Sequence, residues 1–210
     1  MSGQNGTGNL RREQGDFQFQ GAAGQRVKRF DDVRKNNLFL GIVPDRDVAL
    51  RAVDIARDVS ERHGLSRHIR PPDVMHVSLN AIGKYVAFPE DAVFAVSAAM
   101  AAVKAAPFEV NFDRVVHFTG SRAVVLCNPI RSEEMMDLHV QLAKEMWAAG
   151  LTFTFNRNFM PHMTLFYSDG ALAEHMLAEP LCWVVREFVL IRSFIGESEY
   201  EYLGRWPLIG

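Results

Sequence analysis

Cysteine is nearly absent: 210 residues carry only two, Cys127 and Cys182. So low a count excludes a disulfide scaffold. Each lies in an apolar, strand-like run (VVLCNP and LCWVV), so both read as buried free thiols suited to a reducing cytoplasm. An excess of one charge is missing too. Lys and Arg number 23 against 25 Asp and Glu, for a net charge of −2. That excludes the global basic field of a non-specific nucleic-acid binder, so a nucleic-acid substrate would have to be met by a local site. No apolar run approaches a membrane span, and the opening MSGQNGTGNLRREQGDF lacks the apolar core of a secretory signal. The chain therefore reads as cytoplasmic, with no membrane partner. Neither G-x-x-x-x-G-K nor G-x-G-x-x-G occurs, which argues against a P-loop or dinucleotide fold. No G-x-S-x-G turn marks a serine nucleophile.

Hydrophobic residues, at 48%, suffice for one sizeable core. Residues 1–34, rich in Gly, Gln, Asn and Arg without apolar period, read as a disordered or loosely attached tail. Residues 35–210 read as a single domain. NLFLGIV (37–43) suits a buried strand. The following DRDVALRAVDIARDVSERHG has helical spacing, with Asp45 as cap and Gly64 as stop. Pro71-Pro72 forces an extended approach to the alternating DVMHVSLNAI. A helix is expected from Pro89 along the alanine-rich run, then strands over 108–118 and 123–129 joined by a turn at 119–122. Ser132 caps a third helix that Gly150 stops. FMPHMTLFY (159–167) reads as a strand, 171–178 as a short helix, and 183–194 and 200–209 as strands. This order indicates an α+β fold, with helices covering one face of largely antiparallel sheet.

Within that order one pattern is written twice. HVSL (76–79) and HMTL (162–165) each set histidine, apolar, hydroxyl, apolar in a strand. Residues i and i+2 of a strand share a face, so His76 projects with Ser78 and His162 with Thr164, while Val77, Leu79, Met163 and Leu165 face the core. A strand histidine alone is usually a satisfied core or edge residue, but two such matches among seven histidines are rare by chance. Two imidazoles facing one cleft suit in-line displacement at phosphorus. A neutral ring takes a proton from the entering oxygen and a charged ring gives one to the leaving oxygen, while the hydroxyls serve the non-bridging oxygens. No metal or other cofactor is called for: neither tetrad carries the further ligands a zinc site needs. His117, on VVHF, reads better as an edge or core residue.

These tetrads resemble the paired H-x-[ST]-x motifs of the 2H phosphoesterase superfamily. NLFLGIVPDRDVALRAVDIARDV, PHMTL and the closing FVLIRSFIGESEYEYLGRWPL are similar to bacterial RNA 2′,3′-cyclic phosphodiesterases, also called 2′-5′ RNA ligase-like proteins. The resemblance runs from about residue 36 to the end. It implies a bilobal fold, two antiparallel sheets facing a central cleft with helices outside. It also implies metal-independent hydrolysis of 2′,3′-cyclic phosphates on RNA ends or nucleotides, with possible 2′-5′ RNA ligase activity. His76 and His162 would be the catalytic pair, His162 by analogy the base and His76 the acid, although the residues alone allow the reverse. Ser78 and Thr164 would serve the phosphoryl oxygens. RNA-processing members often carry an arginine soon after the second motif; here Phe166 and Tyr167 stand there. Tyr167, Lys84 and Arg157 are the candidate substrate contacts, and the partner is a nucleotide or RNA terminus met by a monomer. The alternative is a non-catalytic module that binds an RNA end or phosphorylated ligand in the same cleft.

Overall fold

Every residue of NNLFLGI but Asn37 is buried, the apolar Leu38, Phe39, Leu40 and Ile42 pointing to alternate faces, which only a strand covered on both faces permits; it forms β1 (Asn36–Ile42). The structure is a computed structural model that describes residues 35–65, 68–130 and 132–210. The tail expected over 1–34 lies outside these. The described residues fall in one unit, Val33–Gly210.

α1 (Arg46–Arg62) buries Ala49, Ala52, Val53, Ala56 and Val59, one stripe at helical spacing. Asp45 stands at its N-cap position but its side chain makes no capping bond. After a single 3₁₀ turn at Pro72–Val74 comes β2 (Val77–Tyr85), then α2 (Glu90–Met100). That helix stops short of the alanine run's end, its last inward anchors being Ala99 and Met100. β3 (Phe108–Phe118) and β4 (Ala123–Cys127) form the expected hairpin. In α3 (Glu133–Ala148) Ser132 accepts the Met135 N–H at 3.2 Å, and Met135, Leu138, Leu142 and Met146 are buried. Gly64 and Gly150, at φ 61° and 74°, turn the chain out of α1 and α3, a conformation that a Cβ disfavours.

β5 (His162–Tyr167) is followed by β6 (His175–Val185), β7 (Glu187–Phe194) and β8 (Tyr200–Pro207). The short helix expected at 171–178 is thus replaced by the start of a strand. β6 pairs with β3 over Phe108–Val115, and its Pro180 is tolerated because β6 is an edge strand with a register shift beside it. The same strand corrects the reading of the cysteines. Cys127 is buried, but on β6 it is Leu181, Trp183 and Val185 that face inward, and Cys182 is exposed.

All strands are antiparallel, in the order β6-β3-β4-β5-β2-β1-β7-β8. Two sheets were expected; the hydrogen-bonded series is one eight-stranded sheet. The division survives only as a seam, since β2 and β5 pair at a single position, Val77 with Met163. The helices tie the seam crosswise. α1, which follows β1, packs on β5 and β6, while α3, which follows β4, packs on β2. One continuous core fills that face, including Val77, Leu79, Met163 and Leu165. Two small apolar clusters occupy the other face, one around Phe39, Val189 and Ile191 and one around Ala123, Val125 and Cys127.

Candidate active site

The seam is where the two tetrads meet. Val77 and Met163, the second residues of HVSL and HMTL, are the paired residues. Continuing that register by one step sets His76 opposite Thr164 and Ser78 opposite His162, so the imidazoles lie on one diagonal and the hydroxyls on the other. All four side chains line one cleft of about 830 Å³. Each tetrad also ends in a β-bulge. Leu79 has no partner between the pairs Ser78–Gly41 and Asn80–Leu40, and Leu165 has none between Thr164–Val125 and Phe166–Val124. An extra residue bends its strand and re-aims its neighbours, here twice in equivalent places.

The rings are held alike. His76 Nδ1 lies 2.8 Å from the Val74 carbonyl and His162 Nδ1 lies 2.7 Å from the Met160 carbonyl. A carbonyl can only accept, so Nδ1 carries the proton in both rings and Nε2 is the nitrogen left for a ligand. Their flanks differ. His76 sits between Phe39 (centroids 5.1 Å apart) and Tyr200 (5.2 Å, edge-on). His162 meets Phe118 edge-on at 5.0 Å.

Burial is the main influence on His76, whose pKa is pushed down to about 4. The Val74 carbonyl opposes that shift, and repulsion from Arg70 and His162 adds to it. Burial also raises the Tyr200 phenol. Cys127, opposite His162 in the β4–β5 ladder, has its thiol pushed up to about 11, again by burial.

Lys84 and Tyr167 line the cleft with the tetrads; Arg157 does not, standing exposed on a turn. His117 accepts the Leu172 N–H at Nδ1 (3.3 Å) and donates from Nε2 to the Ser168 carbonyl (3.1 Å), so both its nitrogens tie the segment after β5 to β3. Sequence reasoning missed Arg70, Phe39 and Tyr200, which also line the cleft. The sequence draws attention only to the extended backbone of Pro71-Pro72, not to Arg70 before it. Tyr200 lay in the closing segment without a position being attached to it. Among the described residues, no three His, Cys, Asp or Glu side chains gather as a metal would require.

A family model, the 2′-5′ RNA ligase superfamily, matches residues 44–193. No curated protein matches the sequence. Among solved structures, a phosphoesterase superposes with a TM-score of 0.70 at 21% identity, covering 83% of this chain and 99% of the other. The LigT protein of E. coli, in complex with 3′-AMP, gives 0.67 at 22% identity, with 84% and 99% covered. TT0787 of Thermus thermophilus gives 0.64 at 21%, with 82% and 97% covered. At such identities these likenesses speak for the fold.

Proposed function

Because the chain belongs to the 2′-5′ RNA ligase superfamily, we propose that it is a metal-independent phosphodiesterase that opens 2′,3′-cyclic phosphates on RNA ends or nucleotides. The observation that carries this reading is the diagonal of two imidazoles, each fixed through Nδ1, with a hydroxyl beside each ring in one cleft. The binding of 3′-AMP by the similar LigT protein favours a nucleotide-like ligand. Among the described residues no helix is long and apolar enough to cross a membrane.

Water attacks phosphorus from one side while a ribose oxygen leaves on the other. One Nε2 takes the water proton and the second imidazole gives its proton to the departing oxygen, so a P–O bond forms, the ring P–O bond breaks and a phosphomonoester results. Ser78 and Thr164 donate to the non-bridging oxygens as charge builds there. Analogy cast His162 as base and His76 as acid, but the electrostatics favour the reverse. Burial and the Arg70 charge keep His76 uncharged at neutrality, which suits a ring that must accept a proton. His162 is then the donor. In the ligase direction these roles exchange.

The test is incubation with 2′,3′-cyclic mononucleotides and a cyclic-phosphate-ended oligonucleotide in EDTA, followed by identification of the monoester formed. Turnover in chelator is expected. Binding of the cyclic nucleotides without any product would instead make the cleft a ligand-holding module.

A further inference from the structure

The described arginines mostly face acids: Arg46, Arg114, Arg122, Arg192 and Arg205 each meet a carboxylate. Arg70 lines the cleft, yet among the described residues it has no carboxylate partner. Its guanidinium donates to the Tyr200 hydroxyl instead and lies 5.6 Å from that ring's centroid. Its Nε is buried without a hydrogen-bond partner. Among the described residues, a full positive charge thus stands in the cleft near His76 without an ion pair to a carboxylate, although Glu197 lines the same cleft.

The position is built from both halves of the molecule. The Arg70 N–H donates to the Leu165 carbonyl at 2.9 Å, fixing the backbone against the bulge of the second tetrad. Pro71 and Pro72 then hold the chain extended as it enters the first tetrad. The tyrosine that receives the guanidinium packs edge-on against His76. A partly buried cation without an ion-paired carboxylate is unfavourable until a ligand enters the cleft. A bound phosphodiester, singly negative, relieves it.

We propose that Arg70 is the phosphate-binding cation of this cleft and a determinant of its preference for anionic substrates. It does from the segment before the first tetrad what Phe166 and Tyr167, after the second, cannot do for lack of charge. This rests on the phosphodiesterase reading above. Arginine suits the role because its planar fork binds phosphate oxygens in pairs and keeps its charge at any working pH.

The experiment titrates inorganic phosphate into the intact protein and its R70Q and R70K variants by calorimetry. It also measures KM and kcat on 2′,3′-cyclic AMP, with the thermal midpoint as a folding control. R70Q is expected to weaken phosphate binding about tenfold to a hundredfold, the range for losing a charge-assisted bond, and to raise KM more than it lowers kcat. R70K should recover part of both. R70Q that binds phosphate as tightly as the parent overturns the inference and leaves the enzyme reading intact. So does an equal loss in R70Q and R70K that merely tracks a fallen thermal midpoint, since Arg70 would then be a strut. A parent that neither binds phosphate nor turns over the nucleotide overturns both.

Discussion

His76 and His162 each donate Nδ1–H to the carbonyl two residues upstream, at 2.8 and 2.7 Å, and each stands three residues before a bulged leucine. Around that shared frame the two halves diverge. His76 is enclosed by Phe39 and Tyr200 with Arg70 nearby, whereas His162 leans on Phe118 and faces Cys127 across the ladder. The repeated residues thus set where two nitrogens stand. The unrepeated ones decide which proton each is fit to move.

The most severe way to break this comparison is to remove either ring. H76A and H162A are each expected to lower kcat by about 10²- to 10⁴-fold, the usual worth of a positioned acid or base, and a variant that keeps its rate removes that ring from the chemistry. The pH profile then separates them. With its pKa near 4, His76 keeps its accepting form well below pH 6.5, so the acid limb of kcat/KM in the parent should fall only as pH approaches 4. R70Q, by lifting a repulsion, should move that limb upward. A limb unmoved in R70Q would mean that some other group sets it.

Stability offers a reading independent of turnover. His76 titrates near 4 when folded and near 6.5 when unfolded, so between those values the unfolded chain binds more protons. The contribution is fully present above pH 6.5 and is lost as pH falls through 4, on the order of 3 kcal/mol in all. Denaturant melts at pH 7 and pH 4.5 should reveal that loss, and H76Q should flatten part of it. Smaller still, S78A and T164A should each cost about tenfold in kcat/KM, as loss of one hydrogen bond to a charged group does. The smallest effect belongs to Cys127. Its thiol, pushed up to about 11, is no nucleophile, so C127A should change kcat by less than about threefold although the residue faces His162.

Local patterns in the sequence carried much of this fold. The stripe of α3, the Ser132 cap and the glycine stops are decided within a few residues of themselves, and they stand where the spacing puts them. The tetrads were legible for the same reason, because i and i+2 share a strand face wherever the strand goes. Strand β6 was not, since its partner lies on β3, sixty or more positions upstream, and Pro180 disguises it. Cys182 followed that error outward. Arg70 and Tyr200 escaped notice because their meeting joins segments 130 residues apart, and no local period encodes such a contact. Arg157 illustrates the converse: a basic residue near the second tetrad in sequence that the fold leaves on a turn outside the cleft.

The crosswise helices bear on how the chain can be divided. A cut between α2 and β3 would separate α1 from β5 and β6, and α3 from β2, the strands that bury their apolar stripes. Neither fragment could fold to a finished surface alone. Mixed together, each would hold the other's missing lid, so reassembly from halves would rebuild both histidine strands side by side in the same event.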